Sequence, residues 1–190
     1  MNFYLEGERP LWEREGRDWP NRAASRFVEA AGFRWHVQVM GEGPVILLLH
    51  GTGAATHSWR DLAPLLARDF TVVAPDLPGH GFTDPPPVGT LTLPGMATAV
   101  RELLDRLGLE PAVAAGHSAG AAVLVRMALD DQLHAGVIVS LNGALIPFGG
   151  EAAGLAQHRE GPLAGGDLDP GVEEESRQLP GRGAADAAAR

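Results

Sequence analysis

The chain has 190 residues, with 15 basic and 24 acidic side chains and a formal charge of -9. That length suits one domain, with or without a tail, and the acidic balance argues against nucleic acid as a partner, because phosphate binding needs a basic face. There is no cysteine, which excludes a disulfide framework, thiolate catalysis and any cysteine-ligated zinc site.

The start, Met1 to Pro10, has no apolar core behind a basic stretch and so does not read as a secretory signal. No apolar run approaches the ~20 residues that would span a bilayer. The expectation is a cytoplasmic protein without a transmembrane segment, and residues 1–24 read as an N-terminal extension. Phe33, Trp35, Val37 and Val39 alternate with Arg34, His36, Gln38 and Met40. This predicts a half-buried strand with His36 facing solvent. It pairs with Arg26–Ala30 across a turn at Ala31-Gly32. The continuous apolar run Val45–Leu49 predicts a strand buried on both faces, as in a parallel sheet.

A helix is expected over Trp59–Arg68, with Ser58 as its cap, then a strand over Phe70–Ala74. Pro94 suits a first helical turn after Thr92 or Leu93. Met96, Val100, Leu103, Leu104 and Leu107 then make one stripe, and Gly108 stops the helix. Ala112–Ala115 predicts a short strand, Ala119–Leu129 a largely apolar helix and Val137–Leu141 a last strand. Strands alternating with helices indicate an α/β fold with a mostly parallel sheet.

Composition changes near residue 150. Every Phe, Trp and Tyr lies in residues 1–150, and residues 151–190 offer only four Leu and one Val to a core. Such a segment cannot bury enough apolar surface to offset the entropy of ordering. Residues 25–150 therefore read as the folded part, and 151–190 as a low-complexity tail, disordered or locally helical at Ala184–Ala189.

Between a predicted strand and a predicted helix stands Gly116-His117-Ser118-Ala119-Gly120, a G-x-S-x-G nucleophile elbow in its required context. The sharp turn strains Ser118 and projects its hydroxyl from the sheet. The glycines and Ala121-Ala122 permit the close strand–helix approach. His50-Gly51-Thr52-Gly53 follows the buried strand, and Asp76-Leu77-Pro78-Gly79-His80-Gly81 follows the next one.

With these motifs the sequence resembles the α/β-hydrolase superfamily, through the sixth strand of a usual eight. The resemblance implies an α/β-hydrolase fold truncated after that strand. It also implies an oxyanion hole from the backbone N–H groups of Thr52 and Ala119, with Ser118 attacking the carbonyl of an ester or similar acyl substrate. Residues 17–22 (RDWPNR), 50–54 (HGTGA), 56–62 (THSWRDL) and 141–145 (LNGAL) narrow the match. They resemble the magnesium-chelatase accessory proteins of bacteriochlorophyll synthesis. That likeness implies a small acyl or tetrapyrrole substrate and a chelatase component as partner. No cofactor and no metal-ligand cluster is evident.

The triad of this fold runs Ser, then acid, then His. After Ser118 only His134 and His158 are available, His134 where the elbow helix ends and His158 in the tail behind Glu151. Neither makes a convincing base, so the chain reads as inactive and truncated or frameshifted near Phe148-Gly149-Gly150. Val137–Leu141 is then left as an exposed apolar edge. His50 reads as a structural residue of its loop, His117 as locally packed and Asp76 as a loop-stabilising acid that breaks the triad order. Gly51-Thr52-Gly53 mimics a dinucleotide loop, but Thr56 occupies its third glycine position. Two functions stand open: a serine acyl hydrolase, and a non-catalytic accessory protein that binds a tetrapyrrole or a chelatase component.

Overall fold

Six strands form a single sheet in the order β1-β2-β4-β3-β5-β6. They are β1 Ser25–Ala30, β2 Phe33–Met40, β3 Val45–Leu49, β4 Thr71–Pro75, β5 Pro111–His117 and β6 Val137–Leu141. The structure is a computed structural model that describes residues 10–87 and 90–145, all within one unit, Met1–Phe148. The expectations for the tail, for Glu151 and for His158 lie outside the described residues.

The hairpin of β1 and β2 is antiparallel, and β2 pairs antiparallel with β4. Its turn residues Ala31 (φ 55°) and Gly32 (φ 80°) both take positive φ, the backbone that matches strand twist in a two-residue turn. The pairs β3–β4, β3–β5 and β5–β6 are parallel. Each of these parallel connections needs a crossover. The sheet is thus mostly parallel with an antiparallel hairpin at one side.

Successive side chains of a strand point to opposite faces, so the run Val45–Leu49 feeds two cores. Leu47 and Leu49 pack with Val73, Val100, Leu103, Leu104, Val123, Leu124 and Met127. Ile46 and Leu48 pack on the other face with Trp59, Ala63, Val72, Ala74 and Ala115. The first core is roofed by two helices, named here with the shorter ones: α1 Trp12–Glu15, α2 Leu62–Leu66, α3 Leu93–Leu107 and α4 Ala119–Leu129. The α3 boundaries follow its sequence signals. The Thr92 side chain accepts from the Gly95 amide at 3.2 Å, and Gly108 closes the helix in the left-handed conformation.

Two expectations need correction. The helix expected over Trp59–Arg68 is divided into a 3-10 turn, Thr56–Trp59, and α2. Pro64 is the cause: in a helix running on from Trp59 its ring would meet the carbonyl four residues back. The chain restarts at Asp61, which caps α2 without a side-chain bond, and Ser58 caps nothing. Second, His36 and Gln38 do not face solvent; both are fully buried. The segment from Trp12 to Ala24 covers the polar side of β2. The Trp12 ring lies tilted with its centroid 5.0 Å from that of His36, Trp19 donates to Thr56 Oγ1 at 2.9 Å, and Gln38 donates to the Pro20 carbonyl at 2.6 Å.

Strand β6 is exposed along its whole length. Its register with β5 places Val137, Val139 and Leu141 on the face of Val113 and Ala115. They are 54%, 38% and 38% exposed. Among the described residues β6 is an edge strand of the sheet, and an apolar edge strand templates pairing with another chain. The chain should therefore self-associate as concentration rises, and Val139→Lys should shift it toward monomer. Sedimentation velocity checks this; a strictly monomeric parent chain would contradict it.

Candidate functional site

Ser118 sits between the C-terminal end of β5 and the first turn of α4, with φ 50° and ψ -115°. Few L-residues hold such a backbone, and it costs on the order of 1–3 kcal/mol. Three hydrogen bonds keep it there. The Ser118 amide donates to the Leu141 carbonyl at 3.0 Å, and the Ser118 carbonyl accepts from Ala121 and Ala144 at 3.2 and 3.1 Å. The end of β6 and the loop after it thus hold the turn from one side.

The crossing of α4 over β3 leaves no room for a side chain at Gly120. A Cβ there would lie 2.6 Å from the His50 carbonyl oxygen. The loop after β3 approaches equally closely, since a Cβ on Gly51 would stand 3.0 Å from Ser118 Cβ. Thr52, the next residue, is exposed, while Ser118 and Ala119 are half-buried. Ala119 is the first residue of α4, so its N–H has no intrahelical acceptor. Among the described residues neither the Thr52 nor the Ala119 amide has an acceptor. The Gly51 backbone and the N-terminus of α4 therefore border one strained serine, and a helix N-terminus favours negative charge.

The loop's shape is fixed from behind by His50, which is fully buried. Its Nε2 accepts from the Leu77 amide at 2.8 Å, so its Nδ1 carries the proton and donates to the Gly51 carbonyl at 2.8 Å. Both ring nitrogens are engaged, which makes His50 a brace rather than a base. Burial pushes its pKa down from 6.5 to about 4, although the Gly51 carbonyl and the Asp76 charge pull the other way.

Asp76 is a second brace. Its Oδ1 accepts from the Thr56 amide at 2.6 Å. Its Oδ2 accepts from His36 Nδ1 at 2.7 Å and from the Phe82 amide at 2.9 Å. Burial alone would raise its pKa; the His36 and backbone hydrogen bonds outweigh that and hold it below the ordinary value. Asp76 thus ties together both flanking loops. Sequence reasoning missed its partner, His36. The signal was present in Trp12 and Trp19, two large apolar groups in the extension that needed a surface to cover.

No side chain supplies a base at Ser118 among the described residues, where its hydroxyl has no hydrogen-bond partner. His117 is exposed. His134 lies beyond the far end of α4, an 11-residue helix and so roughly 16 Å long. It faces Asp131, 3.6 Å away. No group of three or more His, Asp or Glu among the described residues could hold a metal ion. No helix among them is long and apolar enough to cross a membrane.

The family model of the α/β hydrolase fold matches residues 44–159. The chain belongs to the α/β-hydrolase fold family. It is 39% identical over 137 residues to the magnesium-chelatase 30 kDa subunit of Rhodobacter capsulatus, covering 71% of this chain and 48% of that protein. To the soluble epoxide hydrolase of Corynebacterium sp. strain C12 it is 40% identical over 101 residues, covering 53% and 35%. Among solved structures, an α/β-hydrolase fold protein from Burkholderia ambifaria superposes with a TM-score of 0.61 at 30% identity, covering 71% and 50%. The chain spans about half the length of the first and last of these, and less of the epoxide hydrolase. The hydrolase fold and the likeness to the magnesium-chelatase group, both expected from the sequence, are borne out.

The buried His50 makes stability depend on pH. Its folded pKa lies below its unfolded one, so between pH 6.5 and 4 the unfolded state binds the extra proton. Stability is full above pH 6.5 and falls with acid, by about 3 kcal/mol at pH 4 from this group. Urea midpoints should drop across that range, and His50→Asn should flatten the drop. Equal slopes in both proteins would contradict the assignment.

Proposed function

We propose that this chain carries the nucleophile and oxyanion-binding part of a serine acyl hydrolase. In this reading Ser118 Oγ attacks the carbonyl carbon of an ester, and the oxygen that becomes negative is held by the Thr52 and Ala119 amides. The observation that supports it is the strained Ser118 at the strand–helix turn, with the Gly51 backbone pressed against it. The positive end of α4 adds to the stabilisation. Proton removal is the step left without a group: His50 and His36 are engaged elsewhere, and no described side chain bonds the Ser118 hydroxyl. An unassisted serine is a weak nucleophile, so we expect no sustained ester turnover from the 190-residue chain. The setting in this reading is the cytoplasm, and the substrate a small acyl compound.

A second reading is supported by the 39% identity to a magnesium-chelatase 30 kDa subunit. Here the hydrolase scaffold serves bacteriochlorophyll synthesis as an accessory protein that binds a tetrapyrrole intermediate or a chelatase component, and Ser118 does no chemistry.

The two readings separate on a form extended to the full length of the relatives. The hydrolase reading predicts that a fluorophosphonate labels Ser118 and that Ser118→Ala lowers p-nitrophenyl acetate turnover by at least ~10³-fold. Absence of label at Ser118 would overturn it. Pigment synthesis sustained by the Ser118→Ala form would favour the accessory role.

A further inference from the structure

Ser25, His36 and Asp76 form a Ser–His–Asp relay; Ser25 and His36 play no part at Ser118, while Asp76 also braces the loops there. Ser25 Oγ stands 2.9 Å from His36 Nε2, and His36 Nδ1 stands 2.7 Å from Asp76 Oδ2. Nucleophile to Nε2 and Nδ1 to carboxylate is the connectivity by which a serine is activated, and it is recognised by geometry rather than by sequence position.

The proton positions follow from the partners. Asp76 is held ionised, below the ordinary carboxylate range, and already accepts two backbone amides. It therefore accepts from His36 Nδ1–H, and in the neutral imidazole Nε2 is then the acceptor. Gln38 Nε2 is fixed as a donor by the Pro20 carbonyl and also reaches Ser25 Oγ at 3.3 Å. Ser25 Oγ accepts there, and its own proton points to His36 Nε2. The rings of Trp12, Phe27 and Phe82 surround His36 at 5.0, 5.4 and 5.6 Å. They keep the imidazole out of water, and in that low-dielectric surrounding its hydrogen bonds are stronger.

Access differs along the relay. His36 and Asp76 are fully buried, whereas Ser25 is only half-buried. It is the first residue of β1, the edge strand of the sheet. An aligned base and a serine that is not fully enclosed are what a nucleophile needs.

We propose that Ser25 is a second, independent nucleophile, activated by His36 and oriented by Asp76, that takes small activated acyl or phosphonyl electrophiles. With a fluorophosphonate, Ser25 Oγ bonds to phosphorus, the phosphorus–fluorine bond breaks, fluoride leaves and the serine proton passes to His36 Nε2. With an activated ester, an acyl–Ser25 forms and the leaving alkoxide takes that proton. The Ser25 amide is bonded to the Arg22 carbonyl and cannot serve an oxyanion, so the site accumulates an adduct rather than turning over.

The test uses the 190-residue chain carrying Ser118→Ala, treated with a fluorophosphonate and mapped by site-resolved mass spectrometry. Exposed Ser58 serves as an internal reference for an unactivated hydroxyl. The expected result is an adduct at Ser25 formed at least ~10²-fold faster than at Ser58. It should vanish in Ser25→Ala, a change that removes one oxygen and leaves the circular dichroism unaltered. No adduct at Ser25, or labelling no faster than at Ser58, would overturn the proposal. Ser118 and Ser25 adducts are read separately, so this proposal and the hydrolase reading stand or fall apart.

Discussion

One buried carboxylate organises this half of the molecule. Asp76 leaves the end of β4 and collects three donors, from the turn after β3, from β2 and from the loop that follows. A buried anion is tolerable only when its lone pairs are filled, so these segments cannot drift apart without exposing it unpaired. The nearby Leu77 amide holds His50, and His50 in turn holds the Gly51 carbonyl. Through these few bonds the strand ends fix the loop that carries Thr52. The precision of the Ser118 surroundings is inherited from this buried polar layer.

Packing supplies the other constraint. The backbone of α4 lies so close to β3 that Gly120 has no space for a methyl group, and Gly51 has little more against Ser118. Small residues on α4, Ala121 among them, let the helix sit on the sheet while Val123, Leu124 and Met127 fill the core beneath. Backbone strain at one serine is stable because the surroundings determine it several times over. The cost is local, and the burial of two faces of β3 offsets it many times.

Much of this was legible from residues alone. The continuous run Val45–Leu49, the stripe on α3 with its Thr92 and Gly108 boundaries, and the elbow motif each depend on local chemistry, and each fell within a residue or two of its place. What failed depended on distant chain. An alternating pattern reports which side of β2 is apolar, yet it cannot report that Trp12 and Trp19 return to bury the polar side. The pattern alone therefore places His36 in solvent and gives no sign of its bonds to Asp76 and Ser25. The helix expected after Trp59 failed for a local reason, Pro64, that was readable but outweighed by the leucine spacing. At the Ser118 site the sequence offers the motif residues; the contact of Gly51 with Ser118 and the bonds from Ser118 to Leu141 and Ala144 are long-range and have no signature beyond the motifs.

The claim on which the functional account rests is that Thr52 and Ala119 amides converge on the oxygen of a tetrahedral centre at Ser118. A crystal structure of a Ser118 phosphonate adduct measures it directly. The account predicts a phosphonyl oxygen about 2.7–3.1 Å from both amide nitrogens. An oxygen turned to solvent, with neither amide in reach, would contradict it.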